Sequence, residues 1–283
     1  MARGQDPPGT RAARRRPKRS LGQNFLVDPN LQRKIAGAVL AGEDEPVLEI
    51  GPGRGALTAH LVERGVRLTV VELDDELAAE LATRYETEPR VTVVHGDVLS
   101  LELASPGGDW GRTTVVGNIP YNITTPIIFR LLQLPYPRDI VLTVQAEVAA
   151  RILAGPGTRT YGALSVGVGL HARASRICKV PRSAFRPIPR VDSVAMRITP
   201  HSPPRLTRSA AARVRVLTRA AFSWRRKQLG TILARHPDLN CPRDLIEGVL
   251  TELGLVPTLR PERLSPDDFM ALAAALRTAS FSL

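Results

Sequence analysis

Short apolar runs rich in β-branched residues alternate along the first half of the chain with longer stretches of helical periodicity. The runs that are typical of buried strands cover residues 47–50, 68–71, 91–94, 113–116 and 139–144. Strands that alternate with helices in this way form a parallel sheet covered by helices. The pattern therefore predicts a Rossmann-like α/β fold.

Two later apolar runs, residues 163–171 and 193–199, are separated by the proline-rich segment 181–189. We expect these runs to add antiparallel strands at one edge, which completes a seven-stranded, mostly parallel sheet. Residues 199–204 contain three prolines and end regular structure, because proline lacks the backbone N–H. The predicted organisation is a basic arm at 1–20, an α/β domain at 21–200 and a smaller all-helical C-terminal domain at 205–283.

The chain of 283 residues has a formal net charge of +12 and a hydrophobic content of 43%, which is ordinary for a protein with a sizeable core. The charge favours a polyanionic partner, which is RNA, DNA or an acidic membrane. A general bias towards arginine is the alternative explanation, since the chain has only four lysines. Residues 1–20 hold seven basic residues and one acid, which is typical of a disordered arm or a transit peptide.

Neither the cysteines nor the histidines show the spacing of a structural site. Cys178 and Cys241 lie far apart and have no CxxC partner, so we expect no disulfide and a reducing compartment. The five histidines lack paired metal-ligand spacing, so we expect no metal. No apolar run is long enough for a secretory signal or a membrane span. These features predict a cytoplasmic protein, which we expect to be monomeric.

Residues 205–235 contain nine basic residues and no acid. A helix that turns about 100° per residue places four arginines on one stripe: Arg208, Arg215, Arg219 and Arg226. It places four apolar side chains opposite them: Val214, Leu217, Ala221 and Trp224. The arrangement favours an RNA-binding stripe on a helix that packs through its other side, and the alternative is a solvated polar face.

A strand followed by a glycine-rich turn and a helix predicts a nucleoside-binding site. The first predicted strand leads into Gly51-Pro-Gly-Arg-Gly55, where Gly51 and Gly53 let the backbone approach a ligand closely. Glu72 ends the next strand, 21 residues after Gly51, and suits the two hydroxyls of a ribose. Asp97 follows the third strand and suits an exocyclic amine. Each acid alone is equally typical of a turn or a helix N-cap, but together they predict S-adenosylmethionine or NAD.

The tetrapeptide Asn118-Ile-Pro-Tyr121 follows the fourth predicted strand and is typical of amino-methyltransferases. A planar adenine amine is a poor nucleophile, because its lone pair is delocalised into the ring. The Asn118 side-chain oxygen and the Pro120 carbonyl can accept its two N–H bonds and aim the lone pair at a methyl donor, while Tyr121 stacks on the base. The target base has to be flipped out or unpaired to enter such a pocket. The alternative is a purely structural turn.

With these motifs the chain resembles the KsgA/Erm family of rRNA adenine N6-dimethyltransferases, from Leu21 almost to the C-terminus. The segments that carry the resemblance are Leu21-Gly-Gln-Asn-Phe-Leu26, Leu48-Glu-Ile-Gly-Pro-Gly-Arg-Gly-Ala-Leu-Thr58, Val71-Glu-Leu-Asp74, Gly96-Asp-Val98, Asn118-Ile-Pro-Tyr-Asn122, Tyr161-Gly-Ala-Leu-Ser-Val166 and Val180-Pro-Arg-Ser-Ala-Phe-Arg-Pro-Ile-Pro-Arg-Val-Asp-Ser193. The resemblance implies S-adenosylmethionine as cofactor, with contacts from Asn24, Leu26, Gly51, Glu72, Asp97 and Asn118. It also implies that Phe185 joins Tyr121 in holding the target base.

The C-terminal segments 221–229 and 253–265 resemble the KsgA branch rather than Erm. That branch implies a small-subunit (pre-30S) partner, in which two adjacent adenines of a hairpin near the rRNA 3′ end are dimethylated, whereas Erm enzymes modify one adenine of large-subunit rRNA. The chain departs from the family at Ala146, where a lysine is common, and at Gly230. Three alternatives stay open: an Erm-type resistance enzyme, a non-catalytic RNA-binding relative and a nicotinamide-dependent dehydrogenase.

Overall fold

The computed structural model describes residues 23–103 and 110–278. The predicted basic arm, residues 1–20, lies outside the described residues. The strands are β1 (Phe25–Leu26), β2 (Pro46–Ile50), β3 (Arg67–Glu72), β4 (Val91–His95), β5 (Thr114–Asn118), β6 (Asp139–Gln145), β7 (Ala172–Val180), β8 (Phe185–Arg186) and β9 (Ser193–Pro200). The helices are α1 (Pro29–Gly37), α2 (Thr58–Glu63), α3 (Asp75–Arg84), α4 (Thr124–Leu131), α5 (Ala146–Ile152), α6 (Ala163–His171), α7 (Arg208–Ser223), α8 (Leu229–Arg235), α9 (Arg243–Glu252) and α10 (Pro266–Thr278).

Seven strands form the central sheet in the order β4-β3-β2-β5-β6-β9-β7. The five strands from β4 to β6 run parallel to one another. β9 is antiparallel to both β6 and β7, as expected for an addition at one edge. β1 and β8 form a separate antiparallel pair, in which Phe25 lies opposite Arg186 and Leu26 opposite Phe185. The predicted α/β architecture with a mostly parallel seven-stranded sheet is confirmed.

The prediction of a strand over residues 163–171 is wrong, because this run forms helix α6. Val166 and Leu170 pack against the C-terminal helices, while Val168 packs against the sheet. A short apolar run that is buried on several sides has no period that separates helix from strand. The seventh strand is instead β7, which lies at the edge of the sheet. Its exposed residues Arg173 and Lys179 interrupt the apolar pattern by which a buried strand is predicted.

The C-terminal helices enclose a core of their own, which reaches back across the predicted boundary at residue 205. Tyr161 and Leu170 belong to this core together with Leu217, Phe269 and other side chains from α7 to α10. The Tyr161 hydroxyl donates to the Leu264 carbonyl at 2.7 Å. Because α6 contributes side chains both to this core and to the one beneath the sheet, it ties the helical part to the α/β part.

Helix α7 carries most of the predicted arginine stripe but ends at Ser223. Val214, Leu217 and Ala221 are buried, which confirms the predicted apolar side. The backbone leaves the helix at Trp224 and closes a turn in which the Lys227 N–H donates to the Trp224 carbonyl at 2.8 Å. The placement of Arg226 on the helical stripe is therefore wrong, because it lies in this turn.

Candidate active site

The carboxyl ends of β2, β3 and β5 meet at one edge of the sheet, where they border a cavity of about 850 Å³. Parallel strands bring their carboxyl ends together, so residues distant in sequence meet there. Eight of the predicted site residues line this cavity: Asn24, Leu26, Gly51, Gly53, Glu72, Asn118, Pro120 and Tyr121.

The glycine turn forms one wall of the cavity. Gly51 and Gly53 have φ angles of +64° and +58°, which a side chain would strain. A Cβ atom on Gly53 would also come within 3.0 Å of the Phe25 ring. The Gly53 N–H donates to Glu72 Oε2 at 2.9 Å, so the turn and the end of β3 are bonded to each other. The glycines thus leave room for a ligand where a side chain would fill it.

Glu72 is buried at the end of β3, where both carboxylate oxygens accept from the backbone. Oε2 accepts from Gly53, and Oε1 accepts from the Asp74 N–H at 3.0 Å. Burial raises the pKa of Glu72, while the backbone bonds from Asp74 and Gly53 oppose that rise. A carboxylate oxygen has two lone pairs, so each oxygen keeps acceptor capacity for a ribose hydroxyl.

Glu49 is a cavity residue that the sequence reasoning missed. It lies inside β2, its side chain is buried, and it lines the cavity beside the glycine turn. The Thr58 hydroxyl donates to Glu49 Oε2 at 2.7 Å. Burial raises the pKa of Glu49 to about 8. The Thr58 hydrogen bond lowers this pKa, whereas the charge of Glu72 raises it further. The sequence feature that could have identified Glu49 is its position as an acidic residue in an apolar strand, directly before the glycine turn.

Residues 23–27, which we call the N-terminal strap, cross the site and are bonded on both sides. The Gln23 side chain donates to Asp74 Oδ2 at 3.1 Å, which joins the strap to the start of α3. The Asn118 side-chain amide donates to the Asn24 carbonyl at 2.9 Å. The strap continues through β1, which pairs with β8. It therefore connects the predicted cofactor residues to the catalytic tetrapeptide.

The bond to Asn24 sets the orientation of the Asn118 amide. A carbonyl only accepts hydrogen bonds, so the amide nitrogen faces Asn24 and Oδ1 lies on the other branch of the side chain. Asn118 itself stands at the end of β5, at the cavity wall. Asn118 Oδ1 is thus left with acceptor capacity at the cavity wall.

Pro120 and Tyr121 begin a short 3-10 turn after β5. The Pro120 carbonyl accepts from the Ile123 N–H and from the Thr124 hydroxyl, each at 3.3 Å, so an incoming amine competes with these long bonds. The hydroxyls of Tyr121 and Ser193 lie 2.7 Å apart, and burial raises the pKa of Tyr121. The Tyr121 ring is therefore held at its far end while it lines the cavity.

Two of the predicted cofactor- and base-binding residues are not in the cavity wall. Asp97 accepts from the Leu99 N–H at 2.9 Å. This is the turn-capping role that the sequence offered as the alternative to cofactor binding. Phe185 has no exposed surface and belongs to the core cluster that contains Leu26 and Val180. The Phe185 ring is enclosed by apolar neighbours and does not form part of the cavity wall.

The arginine stripe lies at a second cleft of about 870 Å³, between α7 and the helices α4 and α6. Its walls include Arg208, Arg215 and Arg219, which are exposed, and Arg130 from α4. The structure therefore brings three of the four predicted RNA-binding arginines together at a surface separate from the cavity. Among the described residues no set of three or more His, Cys, Asp or Glu side chains is arranged to hold a metal ion, and no helix has the length and apolarity to cross a membrane.

The sequence profile described as ribosomal RNA adenine dimethylase matches residues 14–245. The chain belongs to this family. A "Ribosomal RNA small subunit methyltransferase A" of Geobacter sulfurreducens is 41% identical over 274 residues, which cover 95% of this chain and 98% of the relative. A protein of the same name from Myxococcus xanthus is 38% identical over 262 residues, which cover 92% and 91% of the two chains.

Two solved structures share the fold over nearly the whole chain. A dimethyladenosine transferase from Plasmodium falciparum has a TM-score of 0.80 at 28% identity, covering 91% of this chain and 98% of that one. The 23S rRNA methyltransferase ErmE has a TM-score of 0.69 at 29% identity, covering 90% and 100%. The chain is an S-adenosylmethionine-dependent rRNA adenine dimethyltransferase, and the dehydrogenase alternative is excluded by its family.

The cavity fits S-adenosylmethionine in size and in donor chemistry. Its volume lies within the usual range for small-molecule sites. Glu72 would accept from the ribose hydroxyls, and the backbone of Gly51 and Gly53 leaves space beside it. The carboxyl oxygens of Glu49 and Glu72 at the cavity wall would offer partial negative charge to a cationic sulfonium. When bound, the cofactor supplies an electrophilic methyl group.

Proposed function

We propose that this protein dimethylates the N6 amines of two adjacent adenines in a hairpin near the 3′ end of small-subunit rRNA, within an incompletely assembled subunit. The observation that carries the proposal is the bond from the Asn118 amide nitrogen to the Asn24 carbonyl, which turns the amide oxygen towards an acceptor role. The relatives named as small-subunit methyltransferases support the choice of rRNA. We place this activity in the cytoplasm and propose that the protein acts as a monomer.

In the proposed mechanism, the target adenine leaves its stack and enters the cavity beside Tyr121. Asn118 Oδ1 accepts one N–H of the amine, and the Pro120 carbonyl accepts the other in place of the Thr124 hydroxyl. These two bonds favour a tetrahedral nitrogen and direct its lone pair towards the methyl group. The neutral amine nitrogen forms its bond to the methyl carbon as the bond from that carbon to sulfur breaks, which leaves a neutral thioether, and the methylated amine then loses its extra proton to solvent. A second round acts on the monomethylated amine.

The remaining predicted roles belong to the same proposal. Asn24, Leu26, Gly51, Gly53, Glu72 and Asp97 hold the cofactor. For Asp97 this requires contact through the carboxylate oxygen that does not cap the turn. For Phe185, contact with the base requires the ring to leave its core, so we assign base stacking to Tyr121 first.

The test is methylation of purified ribosomal particles with labelled S-adenosylmethionine, followed by mapping of N6-dimethyladenine. We expect two adjacent dimethylated adenines in under-methylated small subunits and none in large subunits. Methylation of a single adenine in large-subunit rRNA would support the Erm-type alternative. Binding to small subunits without methyl transfer would support the non-catalytic alternative.

A further inference from the structure

The rim of the catalytic cavity carries an unusual share of exposed apolar surface. Among the described residues six large apolar side chains are exposed, and three of them belong to the two segments that border the cavity: Val27 at 45%, Ile188 at 56% and Val191 at 44%. The neighbouring residues Leu26 and Pro187 line the cavity itself. Exposed apolar surface that is concentrated at one place marks a contact site. We call Val27, Ile188 and Val191 the apolar rim.

The two segments of the apolar rim are bonded to each other and to the catalytic loop. The Val27 N–H donates to the Ala184 carbonyl at 2.8 Å, next to the β1–β8 pair. Asp192 Oδ1 accepts from the Arg182 N–H at 2.9 Å, which closes the loop that presents Ile188 and Val191. The strap that contains Val27 also holds Asn118 through Asn24. The rim therefore has a defined position relative to the catalytic amide.

Charge around the apolar rim indicates the kind of molecule that covers it. Arg182, Arg186 and Arg190 are exposed in the same segment, and the exposed acid there, Asp192, is engaged by the Arg182 backbone. A second copy of the chain would bring these like charges together, which is unfavourable. A polyanion with apolar faces matches both the arginines and the aliphatic side chains. RNA whose bases are exposed by unstacking has this combination of properties.

We propose that the apolar rim contacts the bases that flank the target adenine, with Ile188 entering the gap that the flipped base leaves. This inference rests on the proposed function. Aliphatic side chains inserted between bases offset the cost of unstacking in other nucleic-acid-binding proteins. Asn118, Pro120 and Tyr121 recognise the base after it has entered the cavity. Ile188 acts before that point, by keeping the opened stack from closing.

The experiment compares Ile188→Ala with the wild type on two reconstituted small-subunit particles. One carries the unmodified 3′ hairpin, and the other carries an abasic nucleotide beside the target adenine, where the stack is already broken. We expect Ile188→Ala to lose about tenfold in kcat/KM on the unmodified hairpin, which equals about 1.4 kcal/mol. On the abasic particle it should match the wild type. Val256→Ala is the matched control, since Val256 is 54% exposed but lies in the C-terminal part.

Cofactor affinity, measured by calorimetry, should be the same in both variants and the wild type, because neither Ile188 nor Val256 lines the cavity. Unchanged kcat/KM of Ile188→Ala on the unmodified hairpin would overturn the proposal that Ile188 enters the gap left by the flipped base. An equal loss on both particles would also overturn it, since that result indicates general RNA contact. Loss of a dimer in sedimentation would assign the rim to self-association. If the wild type methylates neither particle, the proposed function is contradicted, and this outcome is distinct from a failure of the proposal about the apolar rim.

Discussion

The side-chain nitrogen of Asn118 donates to the main-chain oxygen of Asn24 at 2.9 Å, across 94 residues of sequence. This contact couples the N-terminal strap to the catalytic loop and orients the amide. Neither residue alone predicts the orientation, because an asparagine side chain rotates freely until a partner holds it. The strap therefore positions the Asn118 amide as well as bordering the cavity.

Replacement of Asn118 by alanine should abolish methyl transfer while the fold persists. Preorganised hydrogen-bonding groups of this type are worth about 10²- to 10³-fold in turnover. Single-turnover transfer of labelled methyl groups to under-methylated small subunits measures the loss. Asn122→Ala is the control, since Asn122 is an exposed residue of the same loop. Near wild-type transfer by Asn118→Ala would contradict the proposed mechanism.

Replacement of Glu72 by alanine should weaken S-adenosylmethionine binding. Loss of a charged hydrogen-bond acceptor costs about 1.5 to 3 kcal/mol, which corresponds to roughly 10- to 150-fold in Kd. Calorimetry measures the affinity, and chemical denaturation checks that the fold survives the loss of the bonds to Gly53 and Asp74. Glu80→Ala, at an exposed position of α3, should bind normally. An unchanged Kd in Glu72→Ala would remove the ribose role.

The Tyr121 ring and its hydroxyl should contribute separately. Tyr121→Phe and Ser193→Ala each remove the 2.7 Å hydroxyl contact, for which we expect a loss of about 2- to 12-fold in kcat/KM. Tyr121→Ala also removes the stacking surface, which is worth about 1–3 kcal/mol for a base. The order of activities should be wild type, then the two hydroxyl variants, then Tyr121→Ala. Equal losses for Tyr121→Phe and Tyr121→Ala would show that the ring does not hold the base.

Glu49 should make stability depend on pH. Its folded-state pKa of about 8 lies above the ordinary value of 4.5, so the folded protein keeps a proton that the unfolded chain releases. The free energy of unfolding should therefore fall as pH rises between these two values, by up to about 1.4 kcal/mol per pH unit from this group. Below the ordinary value the contribution of Glu49 is fully retained.

Glu49→Gln cannot ionise and still offers an oxygen to the Thr58 hydroxyl. Denaturation at about pH 5, 6, 7 and 8 measures the free energy of unfolding across this range. That free energy should decline less with rising pH for this variant than for the wild type. Asp139 affects both proteins alike, whereas Glu72 is coupled to Glu49 through its charge, so the difference between the two proteins reports Glu49 together with that coupling. Parallel pH curves would mean that Glu49 is ionised in the folded protein.

Charge reversal in the arginine stripe should weaken binding to small subunits and flatten its salt dependence. For Arg215→Glu/Arg219→Glu, the slope of log K against log salt should fall by about 0.7 to 0.9 for each phosphate that the protein no longer neutralises. Arg235→Glu/Arg243→Glu is the matched control, with the same charge change on exposed residues of α8 and α9. Cofactor affinity should be unchanged in both. Equal methylation of small subunits by stripe variant and wild type would remove the stripe from RNA docking.

Local pattern was sufficient for the parts of this protein whose signal lies within a few residues of sequence. The five parallel strands, the glycine turn, Glu72 at the end of β3 and the Asn118 tetrapeptide follow from alternation and spacing, because parallel strands place their carboxyl ends at one edge. The arginine side and the apolar side of α7 followed from helical period, as far as Ser223.

Features that depend on distant partners were decided only by tertiary structure. Residues 163–171 form a helix that is buried between the sheet and the C-terminal helices. For an apolar run in such a position, hydrophobic periodicity does not distinguish a helix from a strand. Phe185 became core because β8 pairs with the strap, and Asp97 closed its own turn. The raised pKa of Glu49 arises from its burial in the folded chain. Burial and hydrogen-bond partners are properties of the folded arrangement, so the sequence pattern names candidate groups and the fold decides their state.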